Sequence, residues 1–360
     1  MTILVNKVYS PEKFFGEKIR EIIEETHIKP GTKAAREISV KRIGKRYSIT
    51  EYSEPLRSSE KMTVTDGTGT KGYLIWALKK FSESGSNPFA MTVDDLYEHN
   101  FQPYKIQSHL ILQEENLAAI LESISSLKSL CVKYKWKTPA GVMIPIIIDG
   151  GETAICNTIG GMEFSVTATG YADPKDVLVP HAGEGDTLIG ISSNGIHSNG
   201  LTFVREKILP RKGLDYELDS NSTLGTELVK PTRIYIEALR ELNKSFRKEI
   251  TGKVHITGGG FSKLRELSKK TVSYEVFKEH GLVPQKIFQF IYDESHMNDT
   301  EMLSRFNCGI GYVVSIKGDV ARDAVKILNK YYSSDIIGKV KAGNPVIRIE
   351  SPFSKNVVKL

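Results

Sequence analysis

Short apolar segments that each run into a turn of small, polar or acidic residues recur along the sequence, and this repetition constrains the fold most strongly. An apolar run that ends at glycine or at a polar turn is typical of a strand. The strands and their turns are 62–65 with DGTGTK at 66–71, 91–93 with Asp94-Asp95, 143–148 with DGGET at 149–153, 187–192 with SSNGIHSNG at 192–200, and 254–256 with TGGG at 257–260. Because helical segments lie between these strands in both halves, the sequence predicts an α+β protein.

Helical periodicity is clear in four further parts of the chain. There, apolar residues recur at the spacing of one helix face. The segments are 10–25, 115–135, 235–246 and 320–331. The stretch 30–59 is instead highly charged and poorly periodic, and for it we predict a mobile basic arm.

The turn Asp173-Pro174 is the predicted boundary between two domains. We assign residues 1–60 to a divergent N-terminal helix and arm that belong to the first domain. Residues 61–173 form the rest of that domain, and residues 174–360 form the second.

The size and charge of the chain exclude several classes of protein. Its 360 residues, 40% of them hydrophobic, suffice for cores in two domains. No apolar run approaches the ~20 residues of a membrane-spanning helix, and the first residues lack the layout of a signal peptide, so we expect a cytoplasmic protein without a membrane partner. A net charge of +6 suits phosphorylated small molecules and does not indicate nucleic acid. The three cysteines lack the spacing of a zinc site or a disulfide framework.

Acidic residues at the strand ends are candidate ligands for a cation bound to phosphate. In DGTGTK, the glycines allow close approach of the backbone, Thr70 offers a hydroxyl and Lys71 a positive charge. Asp94-Asp95 and Glu152 add carboxylates, the ligands that magnesium prefers. The alternatives are a tight turn with a solvated lysine, a helix cap at Asp94-Asp95, and a salt bridge at Glu152.

Two histidines lie beside small polar residues. His197 is followed by Ser198, Asn199 and Gly200 ahead of a predicted helix, where backbone amides and hydroxyls can bind an anion. His255 precedes a run of three glycines. For each histidine the alternative is a structural role, with the ring satisfied by neighbouring groups.

The residues of these segments and their order along the chain resemble those of the aminoimidazole ribonucleotide synthetase family, also called phosphoribosylformylglycinamidine cyclo-ligases. The resemblance extends from about residue 60 almost to the C-terminus. The matching segments are DGTGTK at 66–71, VDDL at 93–96, GGETA at 150–154, SNGIHSNGL at 193–201, KPTRIY at 230–235, HITGGGF at 255–261 and FNCGIGY at 306–312. Any one of them could arise by chance, but seven in the family's order could not.

This resemblance implies a fold, an assembly and a reaction. The fold would be an N-terminal mixed β-sheet domain that pairs with a second subunit, followed by a C-terminal α+β sandwich domain, in a homodimer. The reaction would convert formylglycinamidine ribonucleotide and ATP into aminoimidazole ribonucleotide, ADP and phosphate through an iminophosphate, in purine biosynthesis. Its cofactors would be ATP and Mg²⁺, with small-molecule substrates as the remaining partners.

The resemblance also implies roles for individual residues. The implied magnesium ligands are Asp66, Asp95, Asp94 and Glu152. The implied contacts to the nucleotide are Asp66, Gly67, Gly69, Thr70, Lys71, Asp94, Gly150, Gly151 and Glu152. The implied catalytic residues are Asp95, His197, Lys71 and His255, and the implied substrate contacts are His197, Ser198, Asn199 and Gly200.

The sequence departs from the family in three places. Upstream of residue 60 it lacks the usual opening motif and glycine-rich segment, Asp94 replaces the asparagine of many relatives, and Ile155-Cys156-Asn157 replaces an acidic residue and Met-Pro. Two alternatives therefore stay open. One is another ATP-using member of the superfamily, such as a subunit similar to formylglycinamidine ribonucleotide synthetase, and the other is a non-catalytic nucleotide-binding homologue.

Overall fold

The computed structural model describes residues 11–360 in backbone and, within the first helix, side chains from residue 16 onwards. The α-helices of this part are α1 (Pro11–Glu24), α2 (Glu54–Arg57), α3 (Thr70–Ala77), α4 (Ser86–Glu98), α5 (Leu117–Lys133), α6 (Leu201–Lys207), α7 (Leu209–Lys212), α8 (Leu224–Val229), α9 (Ile236–Phe246), α10 (Lys286–Ser295), α11 (Asp299–Arg305) and α12 (Ala321–Leu328). Short 3₁₀ turns connect several of them.

The strands alternate with these helices along the chain. They are β1 (Ile38–Ile43), β2 (Arg46–Glu51), β3 (Glu60–Gly67), β4 (Gln102–Leu112), β5 (Trp136–Lys137), β6 (Met143–Ile144), β7 (Ile147–Ile155), β8 (Met162–Ala172), β9 (Asp186–Ser192), β10 (Glu217–Asp219), β11 (Ser222–Thr223), β12 (Ile250–His255), β13 (Val272–Val276), β14 (Ile310–Lys317), β15 (Ser334–Ala342), β16 (Ile347–Glu350) and β17 (Val357–Lys359). The mixture of helix and strand confirms the predicted combination of both types; the division into two domains stays a prediction.

Two large sheets organise the chain. The first has the order β3-β8-β4-β7, and the second has the order β12-β14-β9-β15-β13-β16-β17. Most neighbouring strands are antiparallel, while β4 with β7 and β13 with β16 are parallel. Alternate residues of β8, such as Phe164, Val166 and Ala168, are fully buried because successive side chains point to opposite faces of a sheet.

Helix α4 connects the two sheets. It lies against the first sheet and also contacts β12, the edge strand of the second. Its residues from Ser86 to Asp94 are all buried, which is unusual for a helix that carries polar side chains. The helix is covered on both sides, and its polar residues therefore need partners inside the protein.

The predicted mobile arm at 30–59 contains regular structure, which the sequence prediction missed. Strands β1 and β2 form an antiparallel hairpin whose turn includes Gly44 with φ 62°. Glu37, just before the hairpin, is buried and accepts hydrogen bonds from the Thr138 hydroxyl at 2.5 Å and the Ala140 amide at 3.0 Å. These contacts attach the start of the hairpin to the segment between β5 and β6.

Two predicted turns are also wrong. The segment DGGET at 149–153 lies inside β7, because the strand pairing breaks at Pro145 and Ile146 and β7 starts at Ile147, later than predicted. Asp94-Asp95 lies within α4; it neither follows a strand nor stands at the N-terminus of its own helix. In the described residues, no helix combines the length and the apolar character needed to cross a membrane.

Candidate functional site

Helix α4 supplies acidic side chains to the junction of the two sheets. Asp94, Asp95 and Glu98 occupy its last two turns. Residues three and four apart share a helix face, whereas adjacent residues point in different directions. Asp95 and Glu98 consequently face β12, while Asp94 faces the start of α9.

His255, the last residue of β12, receives two contacts from α4. Its backbone amide donates to Glu98 Oε1 at 2.6 Å, and its Nδ1 lies 3.2 Å from Asp95 Oδ1. The ring is fully buried and stacks on Tyr312, with centroids 5.7 Å apart. In the tautomer that donates Nδ1–H to Asp95, Nε2 carries a lone pair, and this buried atom has no partner among the described residues.

Asp66, at the end of β3, belongs to the same group of charges. Burial raises the pKa of the Asp66 carboxyl, and the negative charge of Asp95 raises it further. The hydrogen bond from the Gly67 amide lowers this pKa. His255 and Lys263 lower it as well. The two carboxylates of Asp66 and Asp95 are therefore close enough to repel each other, and a cation between them would relieve that repulsion.

His197 faces His255 across the junction. Their ring centroids are 6.4 Å apart, and burial lowers the pKa of His197 well below its ordinary value, with the charge of Lys71 acting in the same direction. His197 Nε2 lies 3.0 Å from Asn194 Oδ1. Because Asn194 Nδ2 already donates to the Pro231 carbonyl, its oxygen must accept from His197, which leaves His197 Nδ1 as an acceptor.

Several buried polar atoms around these histidines lack partners within the described part of the chain. They are His197 Nδ1, Asn199 Nδ2 and His255 Nε2. Buried polar groups are normally hydrogen-bonded, because an unpaired one costs about 1–3 kcal/mol. Three such atoms lie in neighbouring segments, so the junction holds polar groups whose hydrogen bonding the described residues do not complete.

The loop DGTGTK adds backbone groups to this junction. Gly69 has φ 53° and precedes α3, and no other atom lies within 4 Å of the place where a side chain would begin. At Gly67 such a side chain would collide with Glu163, whose Oε1 accepts from the Thr68 amide at 2.9 Å. The Thr70 hydroxyl lies 2.6 Å from that of Thr202, so it bridges to α6.

Lys71 does not point to where a contact with the nucleotide phosphates was expected. Its side chain is fully buried, and Nζ donates to the carbonyls of His197, at 2.9 Å, and Lys230. Burial lowers the pKa of this amine to about 7. The ammonium is therefore occupied by backbone of the second half of the chain, rather than directed towards the open face of the glycine loop.

Asp94 is likewise buried, with 0% exposure, and its two oxygens accept from the Tyr235 amide at 2.9 and 3.1 Å. Burial raises its pKa well above the ordinary value. Both oxygens contact backbone, so the expectation that Asp94 is a metal ligand does not agree with its contacts. Its position is instead that of a cap on α9 from a distant segment.

Glu152 and its glycines lie away from the other acidic residues. β3 and β7 are opposite edges of the first sheet. Glu152 on β7 pairs with His109 on β4, His109 pairs with Ser165 on β8, and Ser165 pairs with Gly67 on β3. Within one chain, Gly150, Gly151 and Glu152 are thus separated from Asp66 by two intervening strands. Glu152 is exposed, and Oε1 accepts from the Thr153 amide at 3.1 Å.

The remaining predicted substrate contacts have structural partners. The Ser198 hydroxyl lies 3.0 Å from that of Thr232, and Gly200 adopts φ 75° against the ring of Phe306, where a side chain would collide. No group of three or more His, Cys, Asp or Glu suited to hold a metal occurs in residues 11–360. Asp66 and Asp95 still fit Mg²⁺, which keeps several waters and binds through one or two carboxylates and substrate phosphates.

Sequence reasoning missed Glu98, Asn194, Glu163 and Lys253. The spacing of Glu98, three residues after Asp95, was a signal that these residues share a helix face, but it required the helix to be assigned correctly. Lys253 is buried on β12 and donates to Asn100 Oδ1 at 2.6 Å and to the Tyr97 carbonyl. No signal in the sequence marks it as buried.

From the burial of Lys253 we predict that the stability of the fold depends on pH. Burial lowers its pKa to about 7, against a usual value near 10.4, so between these values the unfolded chain binds the extra proton. Stability therefore rises with pH from about 7 to 9 through this residue. In a Lys253→Met variant, the urea-derived free energy of unfolding should rise less over that range than in the wild type. Parallel pH profiles would contradict the assignment.

Several curated proteins are similar to the chain over most of its length. It is 36% identical over 289 residues to the phosphoribosylformylglycinamidine cyclo-ligase of Thermococcus gammatolerans, with 80% of each chain covered. It is 36% identical to the enzyme of that name in Pyrococcus furiosus, again with 80% of each covered. With that of Bacillus licheniformis it shares 32% over 306 residues, covering 82% of this chain and 83% of the relative.

A family model also matches part of the chain, and solved structures share its fold. Residues 183–350 match the model described as AIR synthase related protein, C-terminal domain. Hydrogenase maturation protein HypE in complex with ATP superposes with a TM-score of 0.62 at 14% identity, covering 96% of this chain and 93% of that one. Thiamine-monophosphate kinase from Stenotrophomonas maltophilia gives 0.63 at 16%, with 94% and 96% covered. At these identities the structures show a shared fold.

Proposed function

The chain belongs to the phosphoribosylformylglycinamidine cyclo-ligase family, and from this premise we propose that it uses ATP to close the imidazole ring of formylglycinamidine ribonucleotide. The products are aminoimidazole ribonucleotide, ADP and phosphate. The observation that carries this proposal is the meeting of Asp66, Asp95, His255 and His197 at one junction, with unpartnered polar atoms on both histidines.

The chemistry needs a better leaving group than an amide oxygen. Transfer of the γ-phosphoryl group of ATP to the formyl oxygen, with release of ADP and loss of the proton on the formamide nitrogen, gives an iminophosphate. A nitrogen of the amidine then attacks the formyl carbon, the C–O bond breaks with its electrons going to the departing phosphate, and the nitrogen loses a proton as the ring closes. Phosphoryl transfer of this kind depends on positioning and on neutralisation of charge.

We assign the proton acceptor to His255 Nε2. Asp95 holds Nδ1–H and so keeps the lone pair on Nε2, where it has no partner in the described residues. Glu98 fixes the backbone of the same residue at 2.6 Å. His197 Nδ1 and the Asn199 amide supply polar contacts that orient the reacting part of the substrate.

We propose that Asp66 and Asp95 hold Mg²⁺ together with the phosphates of ATP. When bound, the ion neutralises charge on the transferring phosphoryl group. The amides of the loop at 67–70 would approach the phosphates where Gly69 leaves open space. Use of ATP is supported by the similar fold of a protein solved in complex with ATP.

We further propose two domains divided near Asp173 and a homodimer formed through the first sheet. The edge strand β7 is buried at Ile147 and Ile148, but its residues from 151 to 155 are exposed or half-buried and offer an edge for a partner strand. Glu152 and the glycines before it lie on that strand, so pairing there would bring them to a subunit boundary. The proposed compartment is the cytosol, where purine nucleotides are made.

A turnover assay tests the proposal. Purified protein with magnesium-ATP should release ADP only when formylglycinamidine ribonucleotide is present, and the aminoimidazole should appear in equal amount. ADP release with the substrate of another member of the superfamily, and none with formylglycinamidine ribonucleotide, would favour that member. ATP binding without substrate-dependent release of ADP would favour a non-catalytic homologue.

A further inference from the structure

Lys71 is a buried charge whose hydrogen bonds all go to backbone. It has 0% exposure, and no carboxylate forms an ion pair with it among the described residues. Burial of an ammonium without a carboxylate is costly, as the lowering of its pKa to about 7 reflects. An apolar residue of similar length would fill the same space without that cost, so the two hydrogen bonds need a reason.

The two acceptors belong to the segments that frame His197. One is the carbonyl of His197 itself, and the other is the carbonyl of Lys230, just before Pro231. Asn194 joins the same segments a second time, because its amide donates to the Pro231 carbonyl and its oxygen accepts from the His197 ring. Lys71 thus fixes the backbone of His197, while Asn194 fixes its ring.

The backbone of His197 requires such support. It adopts φ 58°, the left-handed region that a residue with a side chain rarely occupies. A strained conformation at a site persists where the surrounding structure holds it. Release of the His197 carbonyl would let this turn relax and would move the ring away from its place 6.4 Å from His255.

We propose that Lys71 is a positioning residue, which acts through the His197 turn to hold the imidazole towards the substrate, and that it is not a contact to the phosphates of ATP. This inference rests on the function proposed above. By this proposal, the lysine of DGTGTK and the segment KPTRIY both hold the turn at His197 in place. Their backbone and side-chain contacts place a catalytic histidine.

The test compares Lys71→Met with the wild type and with Lys80→Met, a change at an exposed lysine shortly after the same helix. For Lys71→Met we expect kcat to fall about 100-fold, with the KM for ATP and the Kd of magnesium-ATP each changed less than threefold. The imidazole resonances of His197 in a ¹H–¹³C spectrum should shift. Lys80→Met should change none of these quantities.

The opposite pattern overturns the proposal. A tenfold or larger rise in the Kd of magnesium-ATP, with the His197 resonances unmoved, would make Lys71 a phosphate contact. If the wild type shows no ring closure, the proposed function fails, and the His197 resonances alone decide the role of Lys71. Should Lys71→Met not fold, Lys71→Gln takes its place: its amide can keep one of the two hydrogen bonds without the charge, so we expect a smaller fall in kcat, with the Kd of magnesium-ATP still changed less than threefold.

Discussion

Turnover falls by about 10²–10³-fold in an Asp95→Asn variant, we expect, while the melting temperature stays within a few degrees of the wild type. The side chain of Asp95 is 24% exposed, and its Oδ1 lies 3.2 Å from Nδ1 of the His255 ring. The asparagine amide keeps the shape of the side chain but removes the negative charge, which has two roles in the proposed mechanism. That charge binds the cation on ATP and stabilises the Nδ1–H form of His255.

The assay for this variant is substrate-dependent release of ADP under saturating ATP. Asp323→Asn is a matched control, because Asp323 is an exposed aspartate on α12 whose ion pair with Lys326 lies on the surface. That control should retain full turnover, since exposed ion pairs contribute little. Undiminished turnover of Asp95→Asn would remove Asp95 from the proposed mechanism, and a large loss of stability would make it a structural residue.

Substitution of the preceding residue should have the opposite result. An Asp94→Leu variant is expected to lose about 3 kcal/mol of unfolding free energy, because the Tyr235 amide would be left buried without an acceptor. The carboxyl has 0% exposure and both oxygens contact that amide, at 2.9 and 3.1 Å. Urea unfolding monitored by circular dichroism measures the loss.

Asp94→Asn is the informative comparison. Its amide oxygen can still accept from Tyr235, so we expect most of the stability to return, to within about 1 kcal/mol of the wild type. Turnover of the folded Asp94→Asn variant should remain close to normal, since Asp94 contacts neither histidine. Loss of turnover at normal stability would instead place Asp94 among the cation ligands.

These two neighbours show why a motif alone does not assign roles. Within VDDL the two aspartates are chemically identical, and the sequence offers both as metal ligands. A helix turns by about 100° per residue, so α4 directs Asp95 towards β12 and Asp94 towards α9. Only the identity of the surface packed on each side distinguishes the carboxylate that contacts His255 from the one that accepts from the start of α9.

The long elements were predictable because their patterns are local. The helix predicted at 115–135 is α5, Leu117–Lys133, and the strand predicted at 187–192 is β9, Asp186–Ser192. The hairpin of β1 and β2 was missed because its exposed, charged face hides the alternation of Ile38 and Val40. The segment at 149–153 was misassigned because a strand through two glycines is stabilised by pairing with β4, which is distant in sequence.

The sequence by itself determined the family, the mixed fold and the set of polar residues available for chemistry, because these depend on residue types and their order. Tertiary structure decided which residues meet. It joined Asp95 to His255, separated Glu152 from Asp66 within one chain, and buried Lys71 against the backbone of His197. The physical reason is that burial and hydrogen bonding at the junction depend on contacts between segments more than 100 residues apart, and no local pattern encodes those contacts.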